Sequence, residues 1–259
     1  MTQTERRRYL IAALLQEQPQ YSKIDIPSNE QDQSVLLRSL FNIRAPQPVS
    51  DEFLAVQDAY LQEETRQKGI TPLVELHPIQ PGIYLWRGDI TTLQCDAIVN
   101  AANSRLLGCF CPNHGCIDNA IHTFAGVQLR LACAELMKQQ GHQEEVGGAK
   151  ITPAFNLPCS YVIHTVGPTV RGRLTPRDCS LLASCYRSCL ELAESTGRKS
   201  IAFCCISTGE FHFPNGKAAE IAIQTVREYK KQTHSEIEVI FNVFKECDYA
   251  IYRALLRAD

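Results

Sequence analysis

The chain has 259 residues, of which 44% are apolar and 21% charged, and it carries a net charge of −2. That composition is ordinary for a globular protein with room for one sizeable core plus an extension. It offers no basic face for nucleic acid and no polybasic segment for a membrane surface, so neither partner is expected.

In chain order, the apolar run "YLIAALL" comes first, behind "ERRR". No small-residue cleavage site follows it, and Leu10, Ala13 and Leu14 share one helix face. The segment therefore reads as a helix over 4–17 of a cytoplasmic protein rather than a secretory leader. Two more helical patterns follow at 31–41 and 50–68, separated by the breaks "QPQYSKIDIPSNE" and "RAPQPVS". From about residue 80 the pattern changes to short β-branched runs alternating with helices. The predicted strands are "IYLWRGD", "DAIVNAAN", "GAKITPAF", "YVIHTVG", "SIAFCCIS" and "EVIFNVF", and the predicted helices span 117–140, 177–197, 215–232 and 246–257. Strands alternating with helices imply an α/β fold whose mostly parallel sheet is covered on both faces. Residues 1–72 then form an N-terminal helical extension packed on the core, and residues 73–259 the main domain.

Twelve cysteines raise the question of disulfides. Cys185, Cys189, Cys204 and Cys205 lie in apolar or helical stretches, where a free thiol acts as a small buried hydrophobe. The stretch "GCFCPNHGCIDN" is different, with three cysteines and one histidine inside eight positions. In a cytoplasmic chain such clustering points to metal rather than to a disulfide.

In open α/β sheets the ligand sits beyond the carboxyl ends of the strands, where loops lead into helices. Three such loops are polar and glycine-containing: "NAANSRLLGCFCPNHGCIDN", "VGPTVRGRLTPRD" and "STGEFHFPNG". In the last, Ser207, Thr208 and Gly209 follow a buried strand, and successive amides there suit an anion, with Asn215 placed to cap the next helix. An ordinary turn is the equal alternative for that loop. A P-loop is absent, because Lys217 lies inside the helix, which leaves a backbone-held diphosphate rather than triphosphate hydrolysis. Asp89 in "GDIT" can accept from an exocyclic amine, and Asn100 and Asn103 in "NAAN" suit ribose hydroxyls; taken singly, each could equally serve only its own turn.

In order and at suitable spacing, "RGDIT…CDAIVNAAN…GCIDNAIH…YVIHTVGP…SIAFCCISTGEFHFPNGKAAEIAI" resembles a macrodomain, the module that binds ADP-ribose. The resemblance covers about residues 75–257. It implies a three-layer α/β/α fold with a mixed, mostly parallel central sheet. Where that family usually has an all-glycine loop, this chain inserts "CFCPNHGC" ahead of "IDNAIH". With the helical extension, that insertion resembles the zinc-containing macrodomains, found mainly in bacteria, which are protein-ADP-ribose hydrolases. The resemblance implies that Asp89 and the backbone of Ile90 meet the adenine. Ser207, Thr208, Gly209, Glu210 and Phe211 would wrap the diphosphate, and Asn100, Asn103 and Asp118 would line the distal ribose. Asn242 and Phe244 would border the adenine pocket.

The same resemblance, together with the C-x4-H-x-C spacing, gives Cys109, His114 and Cys116 as ligands of one Zn²⁺ per chain, with a fourth position open for catalysis. Cys111 as a fourth ligand would close the site, and its place between two ligands in a short loop makes that strained. Asn103 and Asp118 would carry catalysis; helix capping is the competing role for Asp118. His122 and His164 read as satisfied core residues, His164 bonded to backbone, and His212 as exposed. The expected substrate is a protein carrying mono-ADP-ribose on an acidic side chain. A sirtuin-like ADP-ribosyltransferase and a lipoyl-carrier protein are the partners that the resemblance suggests. Two other readings compete. A reader that binds ADP-ribose without cleaving it shares the fold. A zinc deaminase would use "HQE" at 142–144, but its second half fails, since Pro158 and Cys159 are followed at the required position by Val162.

Overall fold

The computed structural model of the protein describes residues 1–21 and 23–258. Three helices come first. In α1 (Gln3–Gln16) the Thr2 hydroxyl accepts from the Glu5 amide while the Glu5 carboxylate accepts from the Thr2 amide, a reciprocal cap. In α2 (Glu30–Ile43) and α3 (Asp51–Lys68) the caps are Asn29 and Ser50. Their apolar faces, among them Leu10, Leu14, Leu37, Leu40, Phe53 and Leu61, close into a small core of their own, which Val127 of the main domain joins.

After them come β1 (Thr71–Pro72), β2 (Pro78–Gln80), β3 (Ile83–Arg87), β4 (Leu93–Gln94) and β5 (Ala97–Ala101), then α4 (Ile117–Ala125) and α5 (Val127–Gln140). The chain continues through β6 (Ala149–Pro153), β7 (Tyr161–Thr165), α6 (Pro176–Ser195), β8 (Ser200–Phe203), α7 (Asn215–Thr233), β9 (Glu238–Val243) and α8 (Glu246–Arg257). The large sheet runs β2-β3-β9-β8-β5-β7-β6. Its five central strands are parallel and its two edge strands antiparallel, so the sheet is mixed but mostly parallel, as expected. Ile98, Val99, Ile163, Ile201, Val239 and Ile240 are fully buried on it. Helices α6, α7 and α8 pack side by side in one layer; α4 and α5, against which the N-terminal helices rest, form the other.

Two sequence expectations need correction. The helix predicted over 117–140 is two helices, broken at Gly126, where φ is +94° and an added Cβ would lie 2.6 Å from Gln128 Oε1 and 2.7 Å from Gln57 Nε2. Gln57 of α3 takes over the capping there, its Oε1 accepting from the Val127 amide at 2.9 Å. Asn215 does not cap α7: Pro214 holds the cap position, and Asn215 instead donates to Asp248 at 2.5 Å. Short strands β1, β2 and β4 are too brief for periodicity to reveal.

Candidate active site

Parallel pairing puts the loops after β3, β5, β7 and β8 at one edge of the sheet. The loop after β7 meets the loop after β8 closely. A Cβ on Gly167 would lie 2.0 Å from Ser207 Oγ, so only glycine allows this approach. The Val170 amide also donates to the Phe211 carbonyl at 2.9 Å.

The β8 loop leaves several polar groups without a partner among the described residues. Ser207 adopts φ +65°, a strained conformation for a residue with a Cβ, and its buried Oγ has no partner among the described residues. Thr208 spends its hydroxyl on the Cys205 carbonyl at 2.9 Å. The amides of Gly209, Glu210 and Phe211 make no hydrogen bond within the described residues and so are free to meet an anion. Phe213 is buried in the core, Phe211 half-buried, and His212 exposed.

At the β3 loop, Asp89 Oδ1 accepts from the Thr91 amide at 3.0 Å and the Thr91 hydroxyl at 2.6 Å, and Oδ2 accepts from Lys68 of α3 at 3.3 Å. Burial alone would raise this carboxyl, but the Thr91 hydrogen bonds and the Lys68 ammonium outweigh it and hold it below its usual range. The Ile90 side chain is buried. Asn242 is also buried; its Nδ2 donates to the Gly88 carbonyl at 3.0 Å and so props the loop from beneath. Phe244 stands exposed past the end of β9.

The β5 loop leads into a buried polar knot. Asp118 is 5% exposed and accepts from Asn100 Nδ2 at 2.8 Å and Asn103 Nδ2 at 3.3 Å. Burial raises its carboxyl to about 6, against the lowering pull of Asn100, Arg130 and Asn103. The capping role open to Asp118 is filled by Cys116, whose sulfur accepts from the Asn119 amide at 3.4 Å. Asn100 is wholly buried and acts on the pocket through Asp118, whereas Asn103 is partly open and also donates to the Gly108 carbonyl at 3.1 Å. His164 bonds side chains rather than backbone: register sets it beside Asn100, with Nδ1 3.2 Å from Asn100 Nδ2 and Nε2 2.9 Å from Thr152 Oγ1. His122 is buried but not satisfied. Neither ring nitrogen has a hydrogen-bond partner among the described residues, and Nε2 lies 3.6 Å from Asp118 Oδ1.

Beside that knot, one ligand-type atom each from Cys109, His114 and Cys116 lies within 4.8 Å of the others. Ligand atoms on one zinc, at ~2.3 Å for sulfur and ~2.0 Å for nitrogen, sit roughly 3.5 Å apart. The Cys109 Sγ to His114 Nδ1 distance of 3.6 Å matches that spacing, and two sulfurs with one imidazole are a zinc donor set, so these residues fit the ion. Burial pushes the Cys116 thiol up to about 12, with Cys109 adding to the rise, so a cation is what would favour the thiolates. Cys111 is exposed and outside the group; its carbonyl, not its sulfur, is engaged, by Asn119 Nδ2 at 3.0 Å. The "HQE" stretch joins no such group among the described residues, and all twelve cysteines are free.

Sequence reasoning missed the cations behind this loop. Arg130 of α5 donates to the Leu107 carbonyl at 2.7 Å and to the Phe41 carbonyl at 3.1 Å, and stacks on the Phe110 ring at 4.2 Å. Arg38 of α2 reaches the same loop from the extension. Lone arginines inside helices carry no sequence signal for such contacts.

Known proteins of similar sequence and fold bear on the family of this chain. The Macro domain family model matches residues 99–222. The Protein-ADP-ribose hydrolase of Treponema medium is 60% identical over 99% of this chain and 100% of its own length. That of Staphylococcus aureus (strain MRSA252) is 52% identical over 98% and 96%. Among solved structures, the Trypanosoma brucei macrodomain in complex with ADP-ribose superposes with a TM-score of 0.65 at 32% identity, covering 84% of this chain and 94% of that one.

Proposed function

The chain belongs to the macrodomain family and is a protein-ADP-ribose hydrolase, and from that premise we propose that it removes mono-ADP-ribose from modified acidic side chains with the help of one zinc ion. One juxtaposition carries the reading: the Cys109, His114 and Cys116 donor group lies on the loop that leads into α4, whose first turn carries Asp118, bonded to Asn103. An open metal position beside a buried carboxylate favours hydrolysis, whereas a zinc that only shapes the loop would serve a reader equally well.

The adenine is held by Asp89 and the Ile90 backbone, and the diphosphate by the amides of 209–211. This leaves the distal ribose over the β5 loop. There Asn103 offers its amide to the sugar hydroxyls while its bond to Asp118 fixes the carboxylate. Asp118 orients the attacking water or a ribose hydroxyl and is the acceptor for its proton, since a carboxyl raised toward neutrality suits that task. Bound zinc would supply Lewis-acid stabilisation of the negative charge that develops as the bond from C1″ to the modified side chain breaks. Asn100, His164 and Thr152 hold the knot from below and exclude water from it.

A sirtuin-like ADP-ribosyltransferase and its lipoyl-carrier target remain the partners this reading suggests, in a cytoplasmic setting suited to free thiols. No helix among the described residues is long and apolar enough to cross a membrane. The test is release of ADP-ribose from an acid-linked target protein by the purified chain. Wild type should release it, and Cys116→Ala should abolish release while still binding ADP-ribose. Binding without release by the wild type would make the protein a reader.

A further inference from the structure

Apart from Lys68 of α3, which pairs with Asp89, the N-terminal helices have no part in the chemistry above, yet α2 touches the metal loop at several points. On α2, Asn42 is a helical neighbour of both Arg38 (i, i+4) and Ser39 (i, i+3), and all three meet the loop. The Arg38 guanidinium donates to the His114 carbonyl at 3.2 Å and to Asn119 Oδ1 at 2.9 and 3.3 Å. Asn119 in turn donates from Nδ2 to the Cys111 carbonyl at 3.0 Å and from its amide to the Cys116 sulfur at 3.4 Å. A single fork thus fixes the backbone of one ligand residue and the side chain of Asn119, whose backbone amide rests on another ligand's sulfur. One turn along, Asn42 Oδ1 accepts from the Asn113 amide at 2.9 Å and Ser39 Oγ accepts from Asn113 Nδ2 at 2.6 Å, where Asn113 adopts φ +54° just before His114. Asn42 Nδ2 also donates to Thr123 of α4 at 2.9 Å. Between Gly108 and Cys116 the loop has a single backbone bond of its own, from the His114 amide to the Cys111 carbonyl at 3.3 Å.

We propose that α2 is the outer wall of the metal loop and that Arg38 is a positioning residue, holding His114 and the start of α4 so that the three donors stay grouped. The inference rests on the zinc reading above. Its physical basis is preorganisation: a loop without regular structure must lose its conformational freedom when it binds an ion, and contacts that order it beforehand raise affinity. Arginine is required because its planar fork reaches a carbonyl and an amide oxygen together, which an ammonium does not.

The test uses the full chain and zinc itself. Zinc affinity is measured by competition with a chelator for wild type, Arg38→Ala and Arg38→Lys, alongside ADP affinity and the melting temperature of the zinc-free proteins. The expected result is a loss of about ten- to a hundredfold in zinc affinity for Arg38→Ala, a smaller loss for Arg38→Lys, and ADP affinity within about twofold of wild type. Zinc affinity equal to wild type, with only the melting temperature lowered, would overturn the inference and leave the zinc reading intact. A wild type that binds no zinc would sink the zinc reading, and this inference with it. Should Arg38→Ala fail to fold, Arg38→Lys decides alone, since it keeps the stem and the charge but not the fork: unchanged zinc affinity there overturns the proposal.

Discussion

Replacing Gly108 with alanine tests the packing that seats the metal loop. Gly108 has φ +78°, and an added Cβ would lie 2.7–2.9 Å from the buried ring of His122. The left-handed backbone costs an alanine about 1–2 kcal/mol, and forcing a methyl into a closed contact costs about 1–3 kcal/mol more. His122 cannot simply move away, because it is 5% exposed and packed beside Asp118. The sum, about 2–5 kcal/mol, corresponds to a fall of about 4–20 °C in melting temperature for a chain of this size. Thermal unfolding of Gly108→Ala, read against Gly115→Ala, gives the contrast. Gly115 lies in the same loop, has ordinary φ and would meet nothing within 4 Å, so its alanine variant should melt within about 2 °C of wild type. If the two variants melt alike, the proposed seating of the loop on His122 is wrong.

Asp118→Asn keeps the shape of the side chain but removes the proton acceptor, so kcat should fall about 10²–10⁴-fold with ADP-ribose affinity within about tenfold, as read by product release and calorimetry. Asp89→Ala should weaken ADP binding by about ten- to a hundredfold while kcat at saturating substrate holds. For pH, burial depresses His164 to about 4 and puts His122 well below its ordinary value, so unfolding below pH ~6.5 takes up two protons that the folded state refuses. Asp118, raised to about 6, takes up one in the folded state and offsets one of them. The remaining proton should lower stability by about 1.4 kcal/mol per pH unit as pH falls from ~6.5 toward 4, in urea unfolding at pH 7 and pH 5; equal or greater stability at pH 5 would refute it.

The alternation of strands and helices was legible because buried parallel strands are β-branched runs and their loops collect small and polar residues. Gly126 hid the break between α4 and α5, since a glycine between apolar turns looks like a tolerated interior residue until Gln57 arrives from α3. The metal donors were visible because their spacing is local. The support beneath them was not: Asn100 meets His164 through strand register, and Arg38 meets His114 across 76 positions of sequence. The unpartnered nitrogens of His122 are not legible either, because a sequence shows that a residue is buried more readily than what its nitrogens touch.

The most direct measurement of the account as a whole is the rate of ADP-ribose release from an acid-linked target, before and after the zinc is stripped by a chelator and then returned in measured amounts. Release should stop on stripping and return in full at one zinc per chain. Full activity from the stripped protein, with zinc absent by elemental analysis, would contradict it.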